Sequence, residues 1–219
     1  MAETWAYSLA IALALAFVSP GSAAAVERDT PCFDLAVIAT TPRYQWHPAE
    51  AEAGPDEIIL RSPVSIQFSV KQVISGTFKP TQIEFETSLH TRFNPRTKQF
   101  LLFLKKEGNE KYSLQKMNYE LVHDRSGRLI WPIPAPLDPS YTEDGFIPVN
   151  YETLMRPISY RPKDAWWLVT PPDVDPPPAD EYSWGHLGKS GVITASRGIF
   201  AVDLVAAAAE KRCEAASAR

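Results

Sequence analysis

Between Leu35 and Met117 the pattern of apolar and polar positions is dominated by strand. Val64, Ile66, Phe68 and Val70 alternate with Ser65, Gln67 and Ser69, the pattern of a strand with one buried face. Gly76 interrupts it, and Ile83, Phe85 and Thr87 resume it. Phe100-Leu101-Leu102-Phe103-Leu104 is apolar throughout, which predicts a central strand covered on both faces. That run ends at Lys105-Lys106, with a turn at Gly108-Asn109, and Tyr112, Leu114 and Lys116 predict a further half-buried strand. Tyr119 to His123 and Leu129 to Trp131 flank Asp124-Arg125-Ser126-Gly127, a loop of hairpin length with glycine where a positive φ is wanted. Val70, Phe85, Leu102 and Phe103 are expected in one core.

From Pro132 to Pro178 the pattern changes, because twelve of these 47 residues are proline, which neither helix interiors nor central strands accept. Phe146, Ile147, Val149, Tyr151, Leu154, Trp166, Trp167 and Leu168 are too many large apolar groups for a typical disordered segment, so the stretch reads as an arm packed on the strands. Gly191 to Thr194 and Ile199 to Val202 predict two short strands. Asp203 is placed to N-cap an alanine-rich helix from Leu204 to about Ala216, a helix that would carry Cys213.

The first residues change the picture of where the protein works. Leu9 to Val18 is an apolar run shorter than the roughly 20 residues of a membrane span. Ser19-Pro20-Gly21-Ser22 follows it, and Ala23-Ala24-Ala25 supplies small residues at a cleavage site. It reads as a signal peptide cut after Ala25, which makes the protein periplasmic or secreted. The remainder carries 22 basic and 25 acidic side chains, a balance that attracts neither nucleic acid nor an anionic membrane. Of the two cysteines, Cys32 opens the mature chain and Cys213 nearly ends it; in an oxidising compartment they are expected to form a disulfide. The expected organisation is a signal peptide over 1–25, a β-barrel over 26–131, the arm over 132–190, and C-terminal strands and helix over 191–219 that complete the domain.

Short strands with glycine-marked bends, a terminal helix and one disulfide suggest a mainly β fold, a small closed barrel of the oligonucleotide/oligosaccharide-binding type. Cys32-Phe33-Asp34-Leu35-Ala36-Val37-Ile38-Ala39, then Phe68-Ser69-Val70-Lys71-Gln72-Val73-Ile74-Ser75-Gly76, then Phe100 to Leu104, resembles the netrin-like domains that include tissue inhibitors of metalloproteinases. There a cysteine precedes the first strand, a strand runs into a V-x-x-V-h-x-G bend, and a Y/F-L-h-F-L strand closes the sheet. The resemblance covers Cys32 to Leu104 and the C-terminal helix, and implies that fold and a role in binding macromolecules outside the cytoplasm. Two departures stand against it. This chain has a single cysteine pair, and cleavage after Ala25 leaves six residues before Cys32, so the zinc-chelating N-terminal cysteine amine of tissue inhibitors is not carried over.

Catalytic patterns are sparse. His47, His90, His123 and His186 are widely spaced, with no i,i+4 pair and no free cysteine to complete a metal site. Asp173, Asp175, Asp180 and Glu181 lack the glycine-centred loop of a calcium site and read as a solvated acidic stretch. Gly185-His186-Leu187-Gly188-Lys189-Ser190 has Ser183 where a phosphate loop needs its first glycine. Ser113-Leu114-Gln115-Lys116 and Lys189-Ser190-Gly191 resemble elements of penicillin-recognising enzymes, but Ser113 falls in a strand pattern and not at the start of a helix. No G-x-S-x-G elbow occurs. No catalytic residue, metal ligand or cofactor is therefore assigned. Trp166, Trp167, Tyr160 and Trp184 are the candidate binding residues, as a stacking surface for sugar or peptide. The expected function is an exported non-enzymatic module for an unknown protein or cell-envelope ligand, with no nucleic acid partner and no membrane span once the leader is gone. The alternative is an envelope hydrolase whose residues converge only in three dimensions.

Overall fold

Where the period of two holds, the chain is strand. A computed structural model describes residues 31–47, 62–89, 97–108, 111–160, 167–169, 183–187 and 192–213, without the side chains of 117–118, 167–169, 187 and 192. In chain order the strands are β1 (Leu35–Trp46), β2 (Ser62–Ser75), β3 (Gln82–Leu89), β4 (Gln99–Lys106), β5 (Tyr112–His123), β6 (Leu129–Pro132), β7 (Arg156–Pro157), β8 (Trp167–Val169), β9 (Gly185–Leu187), β10 (Val192–Ala195) and β11 (Arg197–Phe200). Helix α1 (Ala201–Ala207) follows directly on β11. Eight strands form an antiparallel sheet in the order β3-β2-β1-β4-β5-β6-β11-β7, and β8-β10-β9 form a second, smaller sheet.

The large sheet is mainly β architecture as expected, but it is not a closed barrel. Strands β3 and β5 come near each other, yet no ladder joins them among the described residues. The reason lies in β5. Its last residues, Val122 and His123, pair with Ile130 and Leu129 of β6, and the sheet runs on through β11 to β7 in place of returning to β3. The result is an open, curled sheet.

Register explains why β1 and β4 are apolar at every position. Leu35, Val37 and Ala39 stand opposite Leu104, Leu102 and Phe100, and Ala36 and Ile38 stand opposite Phe103 and Leu101. The first set faces a core with Val64, Ile66, Phe68, Ile83 and Phe85. The second faces a separate core with Phe33, Tyr119, Phe146, Ile147, Tyr151, Ile199 and Leu204. Adjacent residues on a strand point to opposite faces. Phe103 therefore does not share a core with Val70, Phe85 and Leu102, as expected, but meets Phe33, Tyr119 and Phe146 on the other side. Beyond Thr40 the burial of β1 turns to alternation, at a register shift where Thr41 has a φ of 52°.

Residues 132–160 of the proline-rich arm cover this second face, with Ile133, Phe146, Ile147, Tyr151 and Met155 buried. Lys116 on β5 ties it down through an ion pair with Asp144 and a 3.0 Å bond to the Tyr141 carbonyl. Helix α1 buries Ala201, Leu204 and Val205 in the same core. It begins two residues before Asp203, with Phe200 as an N-cap that makes no side-chain bond, and a single 3₁₀ turn follows over Ala209–Lys211. The expected helix from Leu204 to Ala216 is thus shorter and earlier. Cys213 lies beyond it and bonds Cys32, with Cα atoms 4.9 Å apart, as the sequence led us to expect. No described helix is long and apolar enough to cross a membrane. The leader, the cleavage site, and the described chain's neighbours His90, Asn109, Trp166, Asp173 to Glu181, Lys189 to Gly191 and Glu214 to Ala216 lie outside the described residues.

Candidate functional site

The β5–β6 turn is built by one carboxylate. Asp124 is buried, and its Oδ1 accepts from the Ser126 backbone N–H at 2.9 Å, the Ser126 hydroxyl at 2.6 Å and the Arg128 backbone N–H at 2.9 Å. Gly127 takes the positive φ of 85° that closes the turn, at the position where the sequence called for it. The Oδ2 of Asp124 takes the Arg128 guanidinium, with Nη2 at 3.0 Å. Burial pushes the Asp124 carboxyl up, but the Ser126 hydroxyl, the Arg128 backbone N–H and the Arg128 charge outweigh it and hold it below its ordinary value. The same guanidinium lies over the Phe200 ring, 3.9 Å from its centroid, a cation–π contact.

Arg128 so held forms one wall of a cleft of about 570 Å³, within the range of small-ligand sites. Its apolar lining includes Ile38, Ile74, Leu129 and Phe200, and its polar groups include Lys71 at the end of β2, Arg156 on β7, Gln99, His123 and Asp203. Arg156 is oriented by its own loop, Nη1 donating to the carbonyls of Thr153 at 3.0 Å and Met155 at 3.1 Å. His123 contacts Gln99 at 3.4 Å. None of these cations was singled out from sequence. They come from three separate elements, Lys71, Arg128 and Arg156, with no spacing that links them. The Asp124-x-Ser126-Gly127-Arg128 turn is the one local signal that bore on the site.

A second, more apolar groove of about 420 Å³ runs along the arm, lined by Tyr119, Trp131, Pro134, Pro136, Leu137 and Tyr141. Of the aromatic binding candidates, Tyr160 and Trp184 do not line it. Tyr160 is half-buried, with its hydroxyl enclosed and unpartnered, and burial pushes that hydroxyl far up from its ordinary value. Trp184 is half-buried beside Tyr151, ring centroids 6.3 Å apart. Trp167 belongs to β8 by its backbone, and Trp166 lies outside the described residues.

The groups that would speak for hydrolysis are scattered. Ser65 Oγ lies 2.8 Å from His47 Nε2, the one serine–histidine contact among the described residues. Ser65 sits within β2 with ladders on both sides, to Gln45 and to Glu86, so neighbouring N–H groups are committed and, among the described residues, no oxyanion hole stands beside it. Ser113 and Lys116 are on β5, bonded to Glu107 and Asp144 respectively, and are no helix-borne nucleophile pair. No group of three or more metal-ligating side chains occurs among the described residues. No protein-family model matches the sequence, and neither a curated protein nor a solved structure is significantly similar to it.

Proposed function

We propose that the chain is an exported, non-catalytic binding module whose ligand seats in the cleft between the β5–β6 turn, the end of β2 and the start of α1. The observation that carries this reading is the cleft itself: an apolar floor with polar groups at its walls, and in it one histidine whose hydrogen-bond partner is an amide and not an acid or a nucleophile. Export is supported by the leader-like N-terminal pattern and by the disulfide, which persists in oxidising compartments. The resemblance of Cys32 to Leu104 to netrin-like domains supports a binding role in the same compartment. The hydrolase alternative has the Ser65–His47 contact in its favour and, among the described residues, lacks an oriented acid and an oxyanion site beside it.

The test is capture of ligand from cell-envelope extract by the oxidised chain. Val202, half-exposed in the cleft wall, is replaced by tryptophan to fill the cleft from its open side. The folded Val202→Trp variant should lose capture, while Ser65→Ala should keep it. Full capture by Val202→Trp at an unchanged melting transition would refute the cleft as the site.

A further inference from the structure

We infer that the cleft is specific for an oxyanion carried on an apolar body, a carboxylate or phosphate with an alkyl-like tail; this deepens the reading proposed above and rests on it. The chain as a whole is acidic, at a net charge of −4, yet among the described residues three cations line this one cleft and a single carboxylate, Asp203, lines it with them. The three cations are not equivalent. Arg128 is neutralised by Asp124 and flattened on Phe200, so it shapes the wall. Lys71 and Arg156 have no carboxylate within ion-pair distance among the described residues, and both are exposed. Arg156 spends Nη1 on the Thr153 and Met155 carbonyls, which fixes the plane of the guanidinium and leaves its remaining N–H donors for a forked contact with an oxyanion. Gln99 and His123 add further hydrogen-bonding groups to the lining.

The floor argues for the tail. Ile74 and Leu129 are part-exposed and Val202 is exposed, and they line the cleft beside the buried Ile38 and Phe200. An inorganic ion would leave the exposed part of this apolar lining wet, whereas an alkyl chain would cover it.

The experiment titrates the oxidised full chain with decanoate, decyl phosphate, decanol and inorganic phosphate, by calorimetry and by amide shifts of Gly127 and Arg128. Decanoate or decyl phosphate should bind at one site and move those amides, with decanol and inorganic phosphate each about tenfold weaker or worse. Which of the two alkyl anions binds better assigns the head group as carboxylate or phosphate. The double variant Lys71→Glu/Arg156→Glu should weaken the alkyl anion about tenfold, and Lys79→Glu, exposed and outside the cleft, should change it less than twofold. Decanol binding as tightly as decanoate, inorganic phosphate binding as tightly as decyl phosphate, or no binding by either alkyl anion overturns the inference. The binding-module reading fails separately: it falls if Val202→Trp keeps full capture from extract, and it survives if that variant loses capture while the double charge reversal does not.

Discussion

The backbone N–H of Cys213 donates to the carbonyl of Phe33 at 3.0 Å, one residue from the disulfide that joins Cys213 to Cys32. The N–H of Phe33 donates in turn to the Lys211 carbonyl at 2.9 Å, so both ends of the described domain are held by backbone bonds as well as by sulfur. The bridge spans 181 residues, and a loop of that length corresponds to about 5 kcal/mol in the chain-entropy account, with measured gains often smaller. The Cys32→Ser/Cys213→Ser variant should therefore remain folded and lose about 2 to 5 kcal/mol. Urea unfolding of the variant beside the oxidised chain measures it; equal midpoints would show that the backbone bonds alone hold the termini.

Two neighbours on β4 report on two different cores. Phe103 packs edge-on against Phe33 at 4.9 Å and Tyr119 at 5.9 Å, while Leu102 faces the core of Phe68 and Phe85. Truncation to alanine should cost about 3 to 5 kcal/mol at Phe103 and about 2 to 5 kcal/mol at Leu102, through lost burial and a residual cavity. Because the two side chains face opposite cores, the double variant should depart from the sum of the two losses only by what passes through their shared backbone. The exposed Lys111→Ala is the reference and should cost little. A double variant far from additive would show that the sheet does not separate the two cores.

Gly76 ends β2 with a φ of 86°, and a Cβ placed there would lie 2.3 Å from the carbonyl oxygen of Asp34. Neither the backbone angle nor the contact can relax cheaply, since the obstruction is main chain. Gly76→Ala should lose about 2 kcal/mol or more, the cost of a left-handed non-glycine residue compounded by the clash. A denaturant midpoint equal to that of the unaltered chain would mean that β2 ends differently.

What could be read in advance was whatever a local period encodes. Val64, Ile66 and Phe68 against Ser65 and Gln67 gave a strand and its buried face, and Asp124 to Gly127 gave a turn. Placing Phe103 beside Leu102 in one core ignored that same period, since adjacent strand residues face apart. Closure of the sheet could not be read, because it depends on whether β5 gives its far edge to β3 or to β6, a choice between partners distant in sequence. Asp203 looked like a helix cap by residue type, but Phe200 leaves β11 directly into the helix and moves the start ahead of it. The cleft cations were hidden for the same reason as closure: Lys71, Arg128 and Arg156 meet only once β2, the turn and β7 are in place.

Acid should weaken the β5–β6 turn. The Asp124 carboxyl is held below its ordinary value, so its contribution to stability is full above the unfolded value of about 4 and is lost as pH falls through the folded one. Asp124→Asn keeps the acceptor oxygen for Ser126 and the Arg128 N–H but loses the charge facing the Arg128 guanidinium. With Arg128 largely exposed, the loss at pH 7 should be about 1 kcal/mol. Urea melts at pH 7 and pH 3 should show this gap shrinking in acid; a constant gap would place the interaction elsewhere.

Tyr119 gives the opposite pH dependence. Its ring is buried against Trp131 at 4.7 Å and Phe103 at 5.9 Å, while its hydroxyl is enclosed without a hydrogen-bond partner. Burial, and then the negative charge of Asp144, push that hydroxyl well above its ordinary value. Removing an unsatisfied buried donor and leaving the ring should not cost stability, so Tyr119→Phe should be neutral or more stable by about 1 kcal/mol at pH 7. Above about pH 10 the unfolded chain ionises this tyrosine and the folded chain does not, which draws the equilibrium toward unfolding as pH rises. Tyr119→Phe removes that draw, so its advantage should widen between pH 9 and pH 11 in urea melts. A variant less stable than the unaltered chain at pH 7 would mean that the hydroxyl is satisfied in solution, and that the second core is held partly through it.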